Sequence, residues 1–230
     1  MQQRHNKVYV LYTTPGGCTP DPNTGEFPTN GQLSLLTTTA GETKILSPAT
    51  VNPPQTWCFY WPSHSIGGLA FGNNGEIYVS AGDGASFDQV DYGQLDTACG
   101  DPGSGSAFRS QGSLPDGIHP PPYTSSPYRD GVILRIAAPI TPNPSVTVVA
   151  YGFRNPFRFA RMPGTNDLYV GNVGWGTWEA IDQISTSTTS QNFGWPCYEG
   201  PDPQPDYQST GYCGNVGSVT APFFAYNHLR

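Results

Sequence analysis

The chain has 230 residues, enough for one or two domains and for a substantial buried core. It carries 28 glycines and 24 prolines against 12% charged residues, a composition of dense turns rather than helices, and 13% aromatics, which argues against disorder. A net charge of −7 with two lysines argues against a surface that tracks nucleic-acid phosphates, and no apolar run approaches the roughly eighteen residues of a membrane helix.

The opening MQQRHNKVYVLYTT lacks the charged-then-apolar pattern of a secretory leader and runs directly into an alternating segment, VYVLYTT (8–14). The same pattern returns in IYVSAGD (77–83) and LYVGNVG (168–174), which places Tyr9, Tyr78 and Tyr169 at equivalent points of three half-buried strands. Companion strands are expected at LSLLTTT, KILSP, GLAFG, VILRI, VTVVAYG, FRFAR and AIDQI, and no segment keeps a helical period over three turns. Many short strands joined by Gly and Pro turns leave a sandwich, a barrel or a propeller, and the repeat favours the propeller. Five cysteines suggest an oxidising compartment. Cys197 and Cys213, separated by a polar loop, form the first expected pair and Cys58 with Cys99 the second; Cys18 is then left over, and the alternative is that all are unpaired core residues.

Three residues stand out chemically. His64 lies in a Ser63–His64–Ser65 turn that enters a strand through Gly67 and Gly68, so its ring can project from a strand end. Asp83 closes the next strand, and antiparallel neighbours would bring the two ends together; a carboxylate on one ring nitrogen makes the other a better base. Arg154, set among Tyr151, Phe157 and Phe159, is an odd place for a solvated charge and is expected to point into a site. The irregular stretch 84–130 is read as an insertion, in which Asp88, Asp91, Asp96 and Asp101 are either solvated acids or calcium ligands. His119, beside Pro120 to Pro122, is expected at the surface.

The blocks GFRNPFRF, LYVGNVG, WEAI and NFGWPCYEG, with HSIGGLAFGNNGEIYVSAGDG and GVILRI upstream, resemble the quinoprotein glucose/sorbosone dehydrogenases over most of residues 64–200. The resemblance implies an all-β, six-bladed propeller, of which residues 1–230 would form a single partial domain of four to five blades, an internal portion of a longer protein. It implies a secreted, extracellular or periplasmic enzyme that oxidises a sugar hydroxyl by hydride transfer to pyrroloquinoline quinone (PQQ), with calcium, and passes electrons to an external acceptor. By the same resemblance His64 is the general base, Asp83 supports it, Arg154 and Asn155 contact the cofactor, and Gly174 and Trp175 give backbone carbonyls to calcium. Two departures occur at that corner: Val173 stands where a glutamine is expected and Trp175 where a proline is. Trp175 and Trp178 are alternatively an aromatic wall for cofactor or sugar, and Glu179 is either the acid of the WEEI block or an ordinary strand-end carboxylate. The family's cations for the three quinone carboxylates would lie in later blades. A non-catalytic propeller that binds carbohydrate or protein is the alternative, with a purely structural piece behind it.

Overall fold

The computed structural model describes residues 7–15, 29–47, 57–59, 61, 63–87, 89–91, 129–187 and 190–228. It is nearly all-β. In the first sheet β1 (Lys7–Pro15), β2 (Thr29–Thr37) and β3 (Gly41–Leu46) lie antiparallel in chain order, with β4 (Cys58–Phe59) paired to the start of β2. The second sheet runs β5 (Ile66–Phe71), β6 (Ile77–Ala81), β7 (Val132–Ile136), β8 (Val146–Tyr151), all antiparallel. The third begins β9 (Pro156–Arg161), β10 (Leu168–Asn172), β11 (Trp178–Ile184). The chain then returns to the second sheet as β12 (Gln191–Asn192), parallel to β8, and makes a small hairpin of β13 (Tyr198–Glu199) and β14 (Asp202–Pro203). One turn of helix, α1 (Pro205–Gln208), and a 3-10 turn at Tyr212–Asn215 follow before β15 (Phe224–Asn227) completes the third sheet against β11.

Side-chain alternation explains how the sheets stack. Along β6 and β7, Ile77, Val79, Ala81, Val132, Leu134 and Ile136 face one core with Leu33, Ile45 and Phe59 of the first sheet region. Tyr78 and Ile133 point the other way, into a second core with Leu168, Val170 and Ile184 of the third and Phe153 of the turn after β8. A strand buried on both faces carries apolar residues at successive positions, which is why VILRI reads as a continuous run. The edge strands β5 and β9 approach so closely that a Cβ on Gly67 would lie 2.6 Å from the Pro156 carbonyl oxygen and 2.4 Å from Ser80 Oγ.

Every strand segment expected from the alternating runs is a strand in the structure. The short strands β4 and β12 to β15 carry too few residues for a period of two to be visible. Cys197 and Cys213 form a disulfide, as expected. Cys18, Cys99 and His119, with most of the 84–130 insertion including Asp88, Asp96 and Asp101, lie outside the described residues, as does the side chain of Cys58. Asp91, the member of that acidic set among the described residues, is buried rather than solvated. It is 3% exposed, its Oδ2 accepts the Ser86 N–H at 2.9 Å, and its own N–H donates to Tyr207 Oη at 3.0 Å. Among the described residues no helix is long and apolar enough to cross a membrane.

Candidate functional site

The register that pairs Ile66 with Ala81 brings the residues just outside β5 and β6 together. The backbone closes this end tightly: Gly82 N–H donates to Ser65 O at 2.8 Å and Gly84 N–H to His64 O at 3.2 Å. A Cβ at Gly82 would sit 2.2 Å from His64 O, so glycine is required there. His64 itself has φ 51°, a left-handed conformation that non-glycine residues adopt at some cost and that recurs at functional sites.

His64 Nδ1 lies 3.0 Å from Asp83 Oδ1, with the two side chains 8% and 3% exposed. The second carboxylate oxygen, Oδ2, accepts the Trp195 indole N–H at 2.7 Å, and Oδ1 also accepts the Ala85 N–H at 3.1 Å. Burial raises the Asp83 carboxyl, but the His64 hydrogen bond and charge, the Arg154 charge and the Ala85 N–H outweigh it, so the group is held below the ordinary carboxylate range. An ionised Asp83 is acceptor-only and keeps the imidazole proton on Nδ1, which leaves Nε2 as the basic nitrogen.

Arg154 is 6% exposed and joins this network from the turn after β8. Its carbonyl accepts the Asp83 N–H at 2.9 Å, its Nη1 donates to the Gly174 carbonyl at 2.7 Å, and its guanidinium carbon lies 5.6 Å from the Trp195 ring centroid. Burial draws the guanidinium below its usual value, against the opposing charges of Asp83, Tyr207, Glu199 and Glu179. Asn155 anchors the turn by its backbone: its N–H donates to Asn172 Oδ1 at 3.2 Å and its carbonyl accepts from Val173 at 3.0 Å.

The corner after β10 is held by two carboxylates. Glu179 Oε2 accepts the Gly174 N–H at 3.2 Å, and its Oε1 lies 2.9 Å from His228 Nε2. Glu199 Oε1 accepts the N–H groups of Trp175, Gly176, Thr177 and Trp178 at 2.7, 2.8, 2.8 and 3.1 Å. A Cβ on Gly174 would fall 1.6 Å from the Trp178 carbonyl oxygen, so this turn admits glycine alone. Trp175 packs edge-on against Trp195 and Tyr207, with centroids 6.1 and 5.6 Å apart, while Trp178 Nε1 donates to Asp202 Oδ2 at 3.0 Å.

The structure therefore gathers Asp83, Arg154 and Gly174 into one bonded network with His64, and sets Asn155 and Trp175 at its edge. Sequence reasoning missed Trp195, Glu199, Tyr207, Asn172 and Asp182. The first two sit inside the NFGWPCYEG block, whose composition hinted at a turn but not at its partners. Between Arg154, Asn172, Asp182 and Glu199 is a polar void of about 10 Å³, space for about one water molecule. A larger cleft of about 640 Å³ opens at the far end of the strands, among Lys7, Tyr9, Phe71 and Arg161, and contains none of the expected site residues. Chemistry, not volume, places the candidate site at the His64 end.

The groups present suit an anionic quinone in part. Arg154 uses Nη1 on Gly174, and the rest of its planar fork can meet an anion. Calcium meets a competitor: the Gly174 oxygen expected to bind it already faces a guanidinium, and two cations on one oxygen repel. Among the described residues no group of three or more His, Cys, Asp or Glu could hold a metal.

No protein-family model matches the chain. Among curated proteins, the HIPL1 protein of Arabidopsis thaliana is 28% identical over 225 residues, which covers 90% of this chain and 30% of that protein. Two solved structures superpose over nearly the whole chain. The oxidoreductase (glucose dehydrogenase) structure from Thermus thermophilus does so with TM-score 0.50 at 19% identity, over 97% of this chain and 53% of its own. A second glucose dehydrogenase structure gives TM-score 0.50 at 16% identity, over 96% and 54%. The chain thus spans 30% of the curated relative's length and about half the length of each solved structure, and what it shares with those two glucose dehydrogenases is the fold.

Proposed function

We propose that this chain carries the base-and-cation half of a PQQ-dependent sugar dehydrogenase active site, on sheets that are blades of a propeller. The observation that carries this reading is the buried His64–Asp83 pair, with Asp83 tied to Trp195 and its N–H to the Arg154 carbonyl. The resemblance of the motif blocks and the fold shared with two glucose dehydrogenases support it. In this reading His64 Nε2 takes the proton of a sugar hydroxyl while hydride leaves the same carbon, so the substrate loses two electrons. Asp83 stabilises the imidazolium that results. PQQ, when bound, supplies the two-electron acceptor. Arg154 stands as a buried cation for the negative charge that develops on the acceptor side. The Gly174 and Trp175 carbonyls are the groups that would hold calcium, which would supply Lewis-acid polarisation of the acceptor, and Arg154 Nη1 competes for the first of them. The Cys197–Cys213 disulfide supports an extracellular or periplasmic location.

The test is dye-linked oxidation of a panel of aldoses by this chain, which with half a site is expected to bind PQQ weakly, and by the chain extended to a complete propeller and loaded with PQQ, with and without calcium. The expected result is turnover that falls by about 10²- to 10⁴-fold in His64→Ala, the usual contribution of a positioned base. Quinone binding with turnover unaffected by His64→Ala would remove His64 from the chemistry. Absence of quinone binding even in the extended form would leave a sheet protein that binds carbohydrate or protein without turning it over.

A further inference from the structure

In a planar trans peptide the carbonyl of one residue points opposite to the N–H of the next. At the corner after β10, the N–H of Trp175 is fixed on Glu199 Oε1 at 2.7 Å, which turns the Gly174 carbonyl away from Glu199. The N–H of Gly176, fixed on the same oxygen at 2.8 Å, turns the Trp175 carbonyl away in the same manner. The N–H groups of Thr177 and Trp178 extend the pattern. Successive N–H groups facing one point make an anion-binding concavity, and here the anion is the chain's own Glu199, 6% exposed.

We propose that Glu199 is a positioning residue: its carboxylate, seated in the 175–178 amide nest, turns the Gly174 and Trp175 carbonyls outward and makes this corner receptive to a cation. The Gly174 oxygen, 2.7 Å from Arg154 Nη1, already meets one. Gly200, with φ 58° and room for no Cβ, which would lie 2.8 Å from Trp178 Cβ, lets the chain bend directly after Glu199 so that the carboxylate reaches the nest. The proposal deepens the dehydrogenase reading and rests on it for the purpose of the cation, but the carbonyl orientation does not depend on turnover.

The experiment is amide hydrogen exchange on the cofactor-free protein, comparing wild type, Glu199→Ala, Glu199→Gln and Arg154→Ala, so that its failure is separate from any failure of the oxidation assay. In Glu199→Ala the amides of 175–178 are expected to exchange on the order of 10- to 100-fold faster, as for loss of a charged acceptor, while β6 and β7 keep their protection. Added formate should restore protection by filling the nest. Arg154→Ala should leave the four amides protected, since Glu199 and not Arg154 sets their direction. Unchanged exchange in Glu199→Ala, or an equal loss in Arg154→Ala, overturns the proposal. If Glu199→Ala does not fold, Glu199→Gln, which keeps an oxygen but not the charge, must still exchange faster at these four amides, and wild-type rates there overturn it. A second readout uses terbium luminescence sensitised by Trp175 and Trp178: Arg154→Ala should acquire a terbium signal that added Glu199→Ala abolishes. No signal in Arg154→Ala would overturn the cation-receptive part.

Discussion

Asp182 is a carboxyl placed where water hardly reaches it. It lies on the inward face of β11 with Ala180 and Ile184, 2% exposed, and Asn172 Nδ2 donates to its Oδ2 at 3.2 Å. Burial, only partly offset by that hydrogen bond, pushes its pKa up to about 7. An unfolded Asp titrates near 4, so between about pH 4 and 7 the folded state holds a proton that the unfolded state has lost. Stability from this residue is therefore present at low pH and drains away as pH rises to about 7, by a few kcal/mol at most. Asp83 has the opposite sign: its lowered pKa contributes stability above about pH 4 that is lost as pH falls through the folded value. Asp182→Asn should flatten the decline in unfolding free energy between about pH 4 and 7, measured by urea titration, and a wild-type slope in the variant would refute the assignment. At this scale the sequence was informative where a residue type was out of place. Arg154 among aromatics and His64 in its Ser63–His64–Ser65 turn both stood out, and both side chains are buried in the structure. Asp182 and Glu199 did not, because a carboxylate in a strand looks alike whether its face turns to water or to a neighbouring sheet.

Strands β5 and β9 show how an element can depend on what it lacks. Gly67→Ala would drive a methyl into Ser80 Oγ and the Pro156 carbonyl, and backbone must move to admit it. The expected cost is about 1–3 kcal/mol, read as a lower denaturation midpoint. Gly176→Ala, with nothing within 4 Å of its would-be Cβ, is the control and should stay within about 0.5 kcal/mol of wild type. Equal effects of the two would mean that β5 and β9 are not in this contact. The long strands were legible because alternation persists over five or more residues. The pairing of two-residue strands such as β12 with β8 is a tertiary outcome with no local signature.

For the molecule as a whole, the middle sheet separates two cores. Ile133 faces one and Ile136 the other, although both are in β7 and fully buried. Ile133→Val and Ile136→Val should each cost about 0.5–1.5 kcal/mol, and the double variant should equal their sum within about 0.5 kcal/mol. Strong coupling in that double-mutant cycle would contradict two independent cores. The repeated tyrosine strands are not equivalent: β1 lies at a sheet edge, β6 and β10 lie inside their sheets, and β6 is buried on both faces rather than half-buried, while the return of the chain from the third sheet to the second left no mark in the sequence. That return has a consequence for synthesis. His64 and Asp83 are 19 residues apart and can meet early, but the indole that holds the second Asp83 oxygen is 112 residues downstream of it. At translation rates of about 5–20 residues per second, roughly 6–22 s pass between making Asp83 and making Trp195. Through that interval the nascent chain holds an acid and a base without the partner that orients them, so the site takes its final form only after strands β6 to β12 have been made.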